Sequence, residues 1–139
     1  GKYDVTMPIK DQDIFQTLVY CDFLFVPFCA GNFNLDSTID FLKMALAVQD
    51  HKKDTDVPLS IYGYVSMFRS RTLANQRLKQ DIKEIHNQTG VRFLDVELKD
   101  LTIYREADTI TSLYDTKAYE INYINFLRWI NQIANLLYL

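Results

Sequence analysis

Hydrophobic and polar positions alternate in blocks along the chain, and each block has the period of one kind of element. Lys2–Met7 is a short β-like run that ends at Pro8. Asp11–Tyr20 carries apolar residues at 14, 15, 18 and 19, the spacing of one helix face. Asp22–Phe28 (DFLFVPF) is a continuous apolar run of strand length, as suits a parallel strand buried on both faces. After a loop at Gly31–Asn34, Asp36 or Ser37 can cap a helix to about His51, with Ile39, Leu42, Met44, Leu46 and Val48 supplying its apolar surface. The polar stretch Asp50–Asp56 leads to Pro58, and Leu59–Met67 (LSIYGYVSM) reads as the next buried strand. Thr72 can cap a helix over Leu73–Gln88 that Gly90 stops. Val91–Val96 is a short strand, and Leu98–Thr111 is irregular with one helical turn. Asp115 or Thr116 opens a last helix to about Leu137, with Tyr123, Leu127, Ile130, Ala134 and Leu137 on one stripe.

The order β-α-β-α-β-α-β-α predicts an α/β fold. Right-handed βαβ units should form a mostly parallel sheet with helices on both faces. The 139 residues are enough for one domain, residues 1–139, and no repeat or linker divides them. A content of 48% apolar residues with nine Tyr, nine Phe and one Trp excludes a disordered chain. A net charge of -3 excludes a strongly basic nucleic-acid clamp as a global property, though not a local basic patch. Two cysteines, Cys21 and Cys29, make no disulfide framework and read as small buried thiols in a reducing compartment. No apolar run is long enough for a transmembrane segment and none resembles a signal peptide, so the chain reads as cytoplasmic.

Chemistry in an open parallel sheet sits beyond the carboxyl ends of the strands. Here these are Pro8–Asp13, Pro27–Asn34, Ser66–Thr72 and Val96–Tyr104. None holds a Gly-rich phosphate loop or zinc-ligand spacing, and neither His51 nor His86 follows a strand. Asp11, Asp13 and Asp36 read as helix N-caps rather than catalytic carboxylates. One stretch is electrostatically distinctive. From Ser66 to Lys83 there are five basic residues, Arg69, Arg71, Arg77, Lys79 and Lys83, against one acidic residue, Asp81. Such a stretch is either a solvated helix face or a contact surface for phosphate or a DNA backbone.

Several segments, in order, resemble the ParA/MinD-like deviant Walker ATPases, in a style closest to the ParA-like proteins of bacterial conjugative transposons. They are Y-D-V-T-M-P at Tyr3–Pro8, L-V-Y-C-D-F-L-F-V-P-F at Leu18–Phe28 and L-D-S-T-I-D-F-L at Leu35–Leu42. Y-V-S-M-F-R-S-R-T at Tyr64–Thr72, Y-R-E-A at Tyr104–Ala107 and the Tyr114–Asp115 pair before the closing helix complete the set. The resemblance covers essentially the whole chain. It implies the carboxyl-terminal portion of a P-loop NTPase fold, with the phosphate loop upstream of the Y-D strand. ATP and Mg2+ would serve the full-length protein, and this chain alone would be inactive as an ATPase. Asp4 and Pro8 would belong to the switch strand, Ser66 and Met67 would lie beside the adenine, and Glu97 to Leu101, including Lys99, would close over the base. Arg71 would fall on the arginine of the DNA-contacting R-T loop. The implied partners are a second copy in a homodimer, weakly and non-specifically bound DNA, and a partition or transfer protein. Val5 and Ile103 stand where the family carries an acidic and a basic residue.

The residues leave a second reading open. The chain would then be a non-catalytic α/β interaction module that docks or dimerises through aromatic surface, with Phe33, Tyr104, Tyr114, Tyr119 and Tyr123 as candidate contacts. A flavodoxin-like cofactor domain fits less well, because Pro8–Asp13 is acidic and lacks Gly.

Overall fold

The computed structural model describes residues 9–69, 71–99 and 120–138. The expected first strand, the switch-strand residues Asp4 and Pro8, and the segment around Tyr104–Tyr119 lie outside them. Helix α1 (Ile9–Val19) leads to strand β1 (Phe23–Phe28), then α2 (Asn32–Lys52), β2 (Ser60–Val65), α3 (Leu73–Thr89), β3 (Arg92–Phe93) and, further on, α4 (Glu120–Tyr138). The fold is α/β. The three strands are all parallel, in the order β1-β2-β3. Phe23 is level with Ser60 and Phe28 with Val65, while Tyr62 and Gly63 are level with Arg92 and Phe93.

Several expected boundaries move. Helix α2 begins at Asn32, not after Asp36 or Ser37; its N-cap is Gly31, with φ of 127°, and Asp36 lies within the helix. Gly31 suits that post because glycine alone adopts such a φ without strain. Asp11 is not a cap either: it sits in the first turn of α1, where its charge opposes the positive end of the helix dipole. Strand β2 stops at Val65, and β3 pairs over two residues only. Helix α3 keeps its expected ends. The Thr72 hydroxyl accepts the Asn75 N–H at 3.3 Å, and Gly90, with φ of 74°, closes the helix through its N–H to the His86 carbonyl.

Alternate residues of the strands face opposite ways. Val26, Phe28, Ile61 and Val65 point to one side and form the main core with Phe15 and Leu18 of α1, Leu42, Ala45 and Val48 of α2, and Leu78 of α3. Gly63 belongs to the same face because the Phe93 ring lies against it. A Cβ there would meet that ring at 2.7–2.9 Å. The other face carries Phe23, Phe25, Tyr62 and Tyr64. Helix α4 reaches it through Trp129, whose ring meets Tyr64 edge-on at 5.2 Å. Phe25 and Tyr62 stack on each other at 5.6 Å, and Phe23 remains 38% exposed. Helices thus lie on both faces, but the expectation that the strands are buried on both faces fails for β1 and the start of β2. The continuous apolar run DFLFVPF predicts burial on both faces, yet Phe23 and Pro27 are exposed.

Two further residues depart from expectation. Cys21 and Cys29 are half-buried rather than fully buried. Lys52, expected in the polar connection Asp50–Asp56, ends α2 and is 3% exposed, and its Nζ donates to the Cys21 carbonyl just past α1. A buried carbonyl and a buried ammonium each need a polar partner, and this contact gives each one.

Candidate functional site

The carboxyl ends of β1 and β2 run on beyond the ladder. Ser66 donates its N–H to Phe28 at 2.9 Å, and Met67 then turns into the left-handed region with φ of 52°. A non-glycine residue there carries backbone strain, of the kind that gathers at functional sites. The turn leaves Met67 57% exposed and sends Phe68 inward, where it is buried. Phe68 N–H donates to Leu98 C=O at 3.0 Å, Leu98 N–H donates to Val65 C=O at 2.8 Å, and Phe68 and Lys99 form a parallel bridge. The stretches Ser66–Arg69 and Glu97–Lys99, far apart in sequence, therefore lie side by side. Of the sequence-derived site residues, Ser66, Met67, Arg69, Glu97 and Lys99 come together here.

The 95–99 segment has too little regular pairing to satisfy its own backbone, and side chains of α4 complete it. Asn125 Oδ1 accepts the Lys99 N–H at 3.2 Å while its Nδ2 donates to the Glu97 carbonyl at 2.9 Å. Gln132 Oε1 accepts the Val96 N–H at 3.1 Å. The Asn125 amide does what a neighbouring strand would do, which closes this stretch of edge. Asn125 and Gln132 were not singled out from the sequence. The available signal was two amide residues seven apart on one helix, flanking the single Trp129. They hold a face of α4 beside the expected stripe, whose Leu127, Ile130 and Ala134 are half-buried. The buried residues are Asn125 and Ile133, while Leu137 of the expected apolar stripe is exposed.

A groove of about 490 Å³ opens between this segment and α4, lined by Asp95, Val96, Glu97, Lys99, Ile124 and Arg128 beside Asn125. Carboxylates and cations mix along it. On its other side Glu97 Oε1 is 3.1 Å from Lys79 Nζ, which also stands 4.7 Å over the centre of the Phe68 ring. Burial pushes the Tyr64 phenol above its ordinary pKa.

The five basic residues of the Ser66–Lys83 stretch do not form one face. Arg69 and Arg71 are exposed on the loop before α3. Lys79 and Lys83, one turn apart, share a flank, and Lys79 is the one drawn onto Glu97. Arg77 lies on another flank, where it lines a small cavity of about 100 Å³ with Ala30, Gly31, Leu35 and Asp81. Among the described residues no three His, Cys, Asp or Glu side chains gather as a metal site, and no helix is long and apolar enough to cross a membrane. No protein-family model matches the chain, and no curated protein or solved structure matches it either.

Proposed function

We propose that the chain is the carboxyl-terminal portion of a ParA-like ATPase of DNA partition or conjugative-transposon maintenance, positioning DNA cargo through ATP-dependent dimerisation of the full-length protein. One observation carries the reading: Ser66–Arg69 and Glu97–Lys99 are hydrogen-bonded neighbours at the carboxyl ends of a parallel sheet. These are the stretches that the family resemblance links to the adenine, and exposed arginines adjoin them on the R-T loop. What Ser66 and the exposed Met67 offer is a hydroxyl and apolar surface, which suit a planar base better than a triphosphate. The phosphates and Mg2+ need donors such as a Gly-rich loop, which residues 1–139 do not contain. In this reading ATP is shared with the rest of the protein, the homodimer forms around it, and a partition or transfer protein responds to that switch.

The DNA arm is tested by fluorescence anisotropy with a labelled random-sequence duplex over a range of salt. Arg69→Ala combined with Arg71→Ala lowers affinity about tenfold, and it flattens the slope of log K against log salt by about 2, one unit for each phosphate contact. Retention that is unchanged and indifferent to salt sinks the DNA arm. The ATP arm predicts no turnover by residues 1–139 alone. Robust hydrolysis by them, abolished by a point change within them, sinks that arm.

The exposed Phe23, beside the half-buried stacked pair Phe25 and Tyr62, favours a second reading, a non-catalytic interaction module. ATP-dependent dimerisation of the full-length protein decides between the two: it belongs to the first reading and is absent in the second.

A further inference from the structure

Helix α3 carries a cation that the fold holds back. Lys79 Nζ is 3.1 Å from Glu97 Oε1 and 4.7 Å above the Phe68 ring. Neither partner hangs from a free loop. Phe68 is tied through its N–H to Leu98, and the Glu97 carbonyl receives the Asn125 amide. Lys83 lies one turn further along the same flank of α3, exposed, and Arg69 and Arg71 are exposed on the loop ahead of the helix. Without the Glu97 carboxylate, Lys79 would extend that set of cations. With it, Lys79 is neutralised, and an added negative charge stands beside any phosphate backbone that approaches.

We propose that Glu97 is a regulatory residue of the nucleic-acid surface: its carboxylate withholds Lys79 from the duplex, and displacement of the 95–99 segment releases it. The inference rests on the DNA reading above. Lys79 and Glu97 are 52% and 29% exposed at the side chain, so water screens the pair and it is easily broken. The segment that carries Glu97 is also the one that lines the groove against α4 and is held there by Asn125 and Gln132. Whatever occupies or empties that groove acts on the same segment. Because coupling between two binding events is reciprocal, DNA that captures Lys79 also loosens the segment.

The test measures duplex affinity against salt for the full chain and for variants, with a labelled random-sequence duplex as probe. Glu97→Gln keeps the size and hydrogen-bonding capacity of the side chain but drops its charge. It should tighten binding about threefold at low salt and steepen the salt slope by about 1, the signature of one added phosphate contact. Lys79→Met keeps an apolar stem on Phe68. Its cost should be several-fold larger in the Glu97→Gln background than in the wild type. Asp95→Asn makes the same change in net charge from an exposed, neighbouring position and should leave the slope unchanged.

Glu97→Gln with wild-type affinity and slope overturns the proposal. So does a gain that Asp95→Asn reproduces, or that persists when Lys79→Met is added, since the effect is then general charge removal. Loss of binding in the Arg69→Ala, Arg71→Ala chain without any gain in Glu97→Gln overturns this inference alone. A wild-type chain that retains no duplex at low salt overturns the DNA reading, and this inference with it.

Discussion

The two faces of the sheet are made from alternate residues of the same strands, yet they end in opposite conditions. On one, Val26, Phe28, Ile61 and Val65 are sealed under α1, α2 and α3. On the other, Phe23 is exposed and Phe25, Tyr62 and Tyr64 are half-buried, and among the described residues α4 reaches this face at Tyr64, through Trp129. The difference is written in β2 more plainly than in β1. In SIYGYV the inward set is Ile, Gly and Val, and the outward set is Ser, Tyr and Tyr. Tyrosine tolerates partial exposure because its hydroxyl stays solvated while its ring packs. In β1 both sets are apolar, so composition alone conceals which face is open.

The largest effect should come from pitting the two faces against each other. Phe28 is 0% exposed and meets Phe93 at 5.1 Å. Phe28→Ala should cost about 3–5 kcal/mol in urea unfolding. Phe25→Ala, on the same strand but the other face, is only half-buried; it loses part of a side chain's burial and its stacking on Tyr62 and should cost less, about 1–2.5 kcal/mol. Equal losses from the two substitutions would erase the distinction between the faces.

A smaller effect should follow from loosening α4, the described helix on that side. Asn125→Leu adds apolar bulk to α4 yet leaves the Lys99 N–H and the Glu97 carbonyl without their partner. Orphaned groups of this kind cost about 1–3 kcal/mol. We expect lower stability together with faster hydrogen exchange at the Lys99 amide, read by NMR. Protection at Lys99 that survives the substitution would show that Asn125 does not close this edge.

The contrast also marks where sequence reasoning holds. The helical and strand periods identified α1 to α3, β1 and β2, because each buries a stripe or face against the main core and local pattern matches burial. The Thr72 cap and the Gly90 stop were legible for the same reason: both are local. Helix α4 was found, but its most buried residues, Asn125 and Ile133, lie off the expected stripe, of which Leu127, Ile130 and Ala134 are half-buried and Leu137 is exposed. Its packing answers unpaired backbone groups of residues 96–99, a demand that no periodicity in α4 itself reveals. The site residues divide likewise. That Ser66–Thr72 and Val96–Tyr104 sit at strand carboxyl ends followed from the alternation of elements, whereas the pairing of Phe68 with Lys99 and the diversion of Lys79 to Glu97 needed the third dimension. The early start of α2 escaped notice because Gly31 caps it with no side chain at all.

The smallest effect reads out how well α4 covers its end of the open face. Tyr64 is the residue there whose phenol is pushed above its ordinary pKa, and the cause is burial, which penalises the phenolate. A group whose folded pKa exceeds its unfolded value stabilises the fold fully below the unfolded value, about 10 for tyrosine, and that contribution fades as pH climbs through the folded value. Stability should therefore fall on the alkaline side, and Tyr64→Phe should soften the fall because phenylalanine has no proton to lose. Subtracting the phenolate absorbance titration of Tyr64→Phe from that of the wild type isolates this one group. The difference curve should have its midpoint above the usual tyrosine value. In an Asn125→Leu background, where α4 is loosened and Trp129 no longer holds its edge against the ring, the midpoint should move back toward that value. A midpoint that stays high after α4 is loosened would mean that the cover over Tyr64 comes from elsewhere in the chain.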